Sequence, residues 1–84
     1  MTHLYDSYNF LFQAAEHARI SIIRFLGRRQ ANLNPVGGVL GGTPLHHGAY
    51  WGQVRSVQQL LRLGADPNLK DQSGKTPLDV ARER

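Results

Sequence analysis

The sequence contains no cysteine, so neither a disulfide framework nor a thiolate metal site can staple this 84-residue chain. That absence fits an intracellular, cytoplasmic protein. Long apolar runs are missing too. The most apolar stretch, Ile20 to Leu26, is interrupted by Arg24 and is far too short to span a bilayer. The first residues, Met-Thr-His-Leu-Tyr-Asp-Ser-Tyr, lack the basic start and apolar centre of a secretory signal. A missing lysine argues against a phosphate loop. Gly42 is followed by Thr43-Pro44, and Pro44 has no N–H to offer an anion. No nucleophile sits in a strained elbow, and Asp6, Glu16, Asp66, Asp71, Asp79 and Glu83 form no suggestive pair. No enzymatic activity and no cofactor are expected.

What charge there is leans basic. Ten Lys and Arg stand against six Asp and Glu, a net charge of +4 that favours acidic partners at long range. The basic residues are spread along the chain, with only Arg28 and Arg29 adjacent, as on solvated helix faces rather than a nucleic-acid site. Histidines His46 and His47 are also adjacent, so on a helix they point about 100° apart and do not chelate one ion easily. His17 could approach His47 from a neighbouring helix, but a third ligand is missing. No metal site is expected.

A repeat organises what remains. Thr43-Pro44-Leu45-His46 and Thr76-Pro77-Leu78-Asp79 lie 33 positions apart. Further back the pattern persists weakly: Ala14-Ala15 matches Gly48-Ala49, and Ile20, Ile23 and Leu26 match Val54, Val57 and Leu60. Gln30-Ala31-Asn32-Leu33-Asn34 likewise matches Gly64-Ala65-Asp66-Pro67-Asn68. The spacing predicts an all-α chain of two helix–turn–helix units and the beginning of a third. Thr43 and Thr76 suit the N-cap and Pro44 and Pro77 the first helical position. Small residues at Ala14, Ala15, Gly48, Ala49 and Ala81 would let neighbouring first helices approach. The second helices should bury Ile20, Ile22, Ile23, Phe25 and Leu26, then Val54, Val57, Leu60, Leu61 and Leu63. Gly64 follows as a stop with positive φ available.

The string GGTPLHHGAYWGQVRSVQQLLRLGADPNLKDQSGKTPLDVA resembles the ankyrin repeat, and the likeness extends over roughly residues 9 to 84. It implies an ankyrin-repeat solenoid of stacked helix pairs with hairpin fingers, about two and a third repeats long. The expected units are a divergent repeat at about 9–42, a second at about 43–75 and a partial third at 76–84, within one domain, 1–84. Such an array needs about three repeats to cover its apolar faces, so an excerpt of a longer array, or self-association through the open repeat end, is expected.

The finger between Asn34 and Thr43 is one residue longer than the Asn68 to Thr76 interval. With Gly37-Gly38, Leu40 and Thr43 to His46, it resembles the ankyrin domains of DHHC-type protein palmitoyltransferases of the huntingtin-interacting type. That resemblance implies recruitment of substrate proteins through an extended peptide. The acyl transfer there belongs to a separate membrane domain. The family's groove uses a Trp directly after TPLH, where this chain has His47, and an Asn where it has His17.

The ankyrin resemblance also implies where a partner binds. Tyr50 and Trp51 end a first helix at positions that face the concave groove, and Tyr and Trp are enriched among binding hot spots. Glu16, His17, His47 and Glu83 would join this platform, with finger residues Val39, Leu40, Gln72 and Lys75 as its upper rim. A protein or peptide partner is therefore expected, without nucleic acid and without membrane insertion by this segment. His46 stands where ankyrin repeats use an imidazole to brace the Thr43 turn. Asp66-Pro67-Asn68, preceded by Leu60, resembles ankyrin sites hydroxylated by the asparaginyl hydroxylase of the hypoxia pathway, which makes Asn68 a candidate acceptor.

Overall fold

Thr-Pro pairs start two of the helices and differ in how they are capped. The computed structural model describes residues 3–38 and 40–84, with side chains from Phe10 onward. Its helices are α1 (His3–Glu16), α2 (Ile20–Arg28), α3 (Pro44–Tyr50), α4 (Val54–Arg62) and α5 (Pro77–Arg82). At α5 the cap is reciprocal: Thr76 Oγ1 accepts from the Asp79 N–H at 3.2 Å, and the Thr76 N–H donates to Asp79 Oδ2 at 3.1 Å. At α3 an imidazole replaces the carboxylate, with the Thr43 N–H donating to His46 Nδ1 at 3.0 Å. Helix α1 has no such start. Neither glycine nor proline occurs before Gly27, so nothing interrupts it, and it begins at His3, upstream of the expected boundary near residue 9.

Matched turns close both helix pairs. Ala18 and Gly52 have φ of 55° and 68°, and the next residue's N–H bonds back to Ala14 or Gly48 at 2.8 Å in each case. Gln30 and Gly64 play the same part after α2 and α4, with φ of 60° and 100°. The divergent repeat thus keeps the backbone of its neighbour without the glycines, at a cost of about 1 kcal/mol per left-handed residue.

Helices α1, α3 and α5 form one layer, while α2 and α4 form a second that packs behind it. Between them lies a core of Leu11, Ala14, Ala15, Ile23, Leu33, Leu45, Leu60 and Ala65, edged by Ile20, Leu26, Val57 and Leu63. The expected core was larger. Ile22, Phe25, Val54 and Leu61 are 40%, 55%, 65% and 43% exposed, because a helix in a two-layer stack buries only the arc centred on Ile23 or Leu60. Val54 and Leu61 instead line an apolar cleft of about 320 Å³ with Leu45, Pro77 and Leu78. The small residues also divide. A Cβ on Gly48 would lie 3.1 Å from Val57 Cγ2, so Gly48 brings α3 close to its own second helix rather than to a neighbouring first helix. Ala81 is exposed beside the apolar cleft.

The fully buried His46 ties the layers to the fingers. Its Nε2 lies 2.7 Å from the Lys75 carbonyl, which can only accept, so Nε2 carries the proton and Nδ1 is left to accept from Thr43. Replacing His46 with Ala leaves the Thr43 N–H unpaired, strips the Lys75 carbonyl of one of its two donors (the Asp71 N–H, at 2.7 Å, remains) and opens a cavity. Urea denaturation of His46→Ala should show a loss of about 3 kcal/mol or more.

The α5 cap makes a pH prediction. The Thr76 backbone N–H, and then its hydroxyl, hold the Asp79 carboxyl below the usual carboxylate range. A depressed folded-state value contributes stability above the unfolded-state value and loses it as pH falls through the folded one. Amide protection at Thr76, followed by NMR, should therefore fade on acidification. In Asp79→Ala it should be low at every pH.

Candidate partner-binding site

The end of α3 presents an aromatic pair. Tyr50 is its last residue and Trp51 its C-cap, and the rings meet edge to face with centroids 5.2 Å apart at 83°. Trp51 remains 54% exposed while Tyr50 is half-buried. The Arg84 guanidinium sits 4.4 Å from the Tyr50 ring centroid, within cation–π range. Beside them Lys75 Nζ donates to Glu83 Oε1 at 2.7 Å, with Oε2 at 2.6 Å. That hydrogen bond is the main reason the Lys75 ammonium is held above its ordinary value. The pair is solvent-exposed and adds little stability.

Two clefts open around this group. One, of about 320 Å³, is bounded by Tyr50, Trp51, Gly52, Glu83 and Arg84. The other, of about 310 Å³, runs from Tyr50 and Glu83 up to Leu40, Asp71 and Ser73 on the fingers. The first finger is closed by paired bonds between Gly37 and Gly42, at 2.9 and 3.2 Å. In the second, Asp71 Oδ1 accepts from the Ser73 and Lys75 N–H groups at 2.9 and 3.0 Å. Gln72 is exposed at its tip and reaches the first finger, where a Cβ on Gly41 would meet its Oε1. Leu40 is half-buried. Val39 lies outside the described residues.

A family model described as ankyrin repeats (3 copies) matches residues 2–71. The chain belongs to the ankyrin-repeat family. It is 41% identical over 64 residues to palmitoyltransferase AKR1 of Lachancea kluyveri, covering 76% of this chain and 9% of that protein. Putative palmitoyltransferase ZDHHC13 of Danio rerio is 36% identical over 76 residues, 90% of this chain and 12% of that one. Oxysterol-binding protein-related protein 1 of Homo sapiens is 52% identical over 42 residues, 50% of this chain and 4% of that one. The chain thus spans only a small part of the curated relatives it matches. Ankyrin repeats are protein-interaction modules and are generally non-catalytic. No helix among the described residues is long and apolar enough to cross a membrane.

Within the ankyrin groove one expected contact residue is displaced. His47 is only 3% exposed, so it cannot meet a partner directly. Its Nδ1 lies 2.8 Å from Glu16 Oε1, and its ring packs on Phe12 with centroids 4.6 Å apart. A carboxylate accepts, so Nδ1 carries the proton, while the buried Nε2 has no hydrogen-bond partner. The cause is the neighbouring α1, whose Phe12 and Glu16 enclose the ring. His46 and His47 diverge, one toward Lys75 in the second finger and the other toward α1 and Gly38 of the first finger. Glu16 also lies 3.9 Å from His17 Nε2, and its carbonyl accepts from Gln53 Nε2 at 2.8 Å. It is thus largely engaged within the fold. His17 is left exposed.

Sequence reasoning overlooked Arg84. The repeat register held the signal, because Arg84 stands 33 positions after Trp51, as Glu83 does after Tyr50. Cleft-lining Asp71 and Ser73 were also missed as groove residues, since their side-chain and turn chemistry looks purely local. Asn68 is exposed, with its N–H donating to Asp66 Oδ1 at 2.9 Å. Its counterpart Asn34 makes the same local bond, N–H to Asn32 Oδ1 at 2.9 Å, and its own Oδ1 also accepts from the Asp66 N–H at 2.8 Å, which links successive repeats.

The buried histidine constrains the first finger. Gly38 has φ +70°, and a Cβ there would fall 2.4 Å from His47 Nε2. Gly38→Ala adds left-handed strain to this overlap and should cost about 2 kcal/mol in a denaturant titration. In Gly38→Ala/His47→Ala only the backbone strain and the new cavity remain, so the two changes should be non-additive.

Proposed function

We propose that this chain is a non-enzymatic binding module that holds an extended peptide or a partner protein on its concave face. The observation that carries the reading is the exposed Trp51 packed on Tyr50, with Arg84 stacked beside it and clefts on both sides. Stacking restrains both aromatic rings before binding, so they lose little entropy when a partner covers them. Leu40 offers an apolar contact at the rim. Gln72, Lys75 and Glu83 offer donors and acceptors, with His17 at the far end. Glu16 and His47 act from behind this surface by holding its floor.

A second reading is favoured by the likeness to relatives named palmitoyltransferases. In it, this segment is the substrate-recruiting ankyrin portion of a membrane DHHC palmitoyltransferase. The full-length reading frame decides between them, because a DHHC cysteine motif with membrane spans must accompany the segment.

The test of the first reading is a pull-down from cell lysate with wild-type protein and the Tyr50→Ala/Trp51→Ala double variant, read by mass spectrometry. Partners retained by the wild type should be lost from the variant, with helicity by circular dichroism unchanged. Hot-spot losses of this kind amount to about 2 kcal/mol or more per anchor. Undiminished capture by the double variant removes the concave-face reading.

A further inference from the structure

The charged side chains on α2 and α4 are all basic. No carboxylate occurs between Glu16 and Asp66, and that stretch carries Arg19, Arg24, Arg28, Arg29, Arg55 and Arg62. All of these arginines are exposed, and among the described residues none pairs with a carboxylate. They lie on, or next to the ends of, α2 and α4, which pack side by side behind the first-helix layer. Residues scattered in sequence thereby become one basic face. Of the acidic side chains, Glu16, Asp71, Asp79 and Glu83 belong to the other layer and its fingers, and Asp66 to the turn after α4, where it accepts from the Asn68 N–H.

Apolar side chains stand among these arginines. Phe25 is 55% exposed and Ile22 is 40% exposed, and Arg29 lies 5.0 Å from the Phe25 ring centroid. Ser21, Arg24, Phe25 and Arg28 share one helical arc and enclose a cleft of about 320 Å³. A hydroxyl and two guanidinium groups at its wall match the oxygens of a phosphate. A phenyl ring beside them, open to water, matches the acyl boundary just beneath a headgroup.

We propose that the outer face of the α2–α4 layer docks on an anionic lipid bilayer. Phosphate oxygens of the headgroups pair with Arg24 and Arg28, while Phe25 and Ile22 enter the interface and the remaining arginines add long-range attraction. A nucleic acid would satisfy the arginines but would leave Phe25 and Ile22 in water, so the mixed face favours a bilayer. Docking this way leaves Tyr50 and Trp51, on the other layer, free for a protein partner.

The probe is sedimentation with phosphatidylcholine vesicles, with and without phosphatidylserine, using the full 84-residue chain. Binding should require phosphatidylserine and weaken as salt is raised. Arg24→Ala and Arg28→Ala should each weaken partitioning about fivefold, and Phe25→Ser about tenfold. These side chains are exposed, so circular dichroism should show unchanged helicity, and Ile22→Ser repeats the apolar test at a second position. The Tyr50→Ala/Trp51→Ala variant should partition like the wild type, which separates this face from the concave site. Equal binding to neutral vesicles, or no binding to anionic ones, overturns the proposal. So does duplex DNA binding that persists unchanged in Phe25→Ser while vesicles are not bound, which would assign the face to nucleic acid.

Discussion

The imidazole of His46 joins the start of α3 to the finger that follows α4, through Thr43 on one side and the Lys75 carbonyl on the other. Both partners are backbone groups: the Thr43 N–H at a helix N-terminus would otherwise be orphaned, and the Lys75 carbonyl at a finger base accepts from His46 as well as from the Asp71 N–H. Because the bonds are short and enclosed, they fix the spacing between successive repeats more firmly than apolar contact alone would. A Cβ on Gly42 would lie 2.8 Å from the His46 ring, so the finger rests directly on the imidazole. The position of Lys75, and with it the Lys75–Glu83 pair at the groove, follows from that bond.

The adjacent His47 shows how context divides two identical side chains. One step along α3 turns it toward α1, where Phe12 and Glu16 enclose it and Nε2 lies beneath Gly38 of the first finger. There it supports the concave face from beneath. The exposed aromatic surface falls to residues at the helix end, where the chain leaves the core and Trp51 stays 54% exposed. Arg84 reaches Tyr50 because the third unit repeats the geometry of the second, placing equivalent positions side by side.

The two-layer stack also explains the sorting of charge and apolar surface. In the first-helix layer α3 meets α1 on one side and α5 on the other, and α1 uses small buried residues, Ala14 and Ala15, in the core. Second helices meet the core along a single arc, which leaves α2 and α4 a wide outer surface for arginine. Ile22 and Phe25 fall outside that arc, so their apolar character is not spent on the core.

Much of this was legible in the residues. The Thr-Pro pairs, the apolar spacing of α2 and α4 and the recurring turn before Asn34 and Asn68 identify the repeat, because caps, periodicity and turns are local properties. Even the degraded first unit was readable, although Ala18 and Gln30 adopt left-handed conformations that glycine would normally take. Exposure was not legible in the same way. Whether Phe25, Leu61 or His47 is covered depends on which neighbouring helix stands beside it, and a single helix's pattern does not contain that information. The sequence by itself determined the family, the helix pairs and the aromatic pair at the end of α3. Tertiary structure alone decided that His47 is buried, that Arg84 stacks on Tyr50 and that scattered arginines share a face, because each depends on contacts between segments distant along the chain.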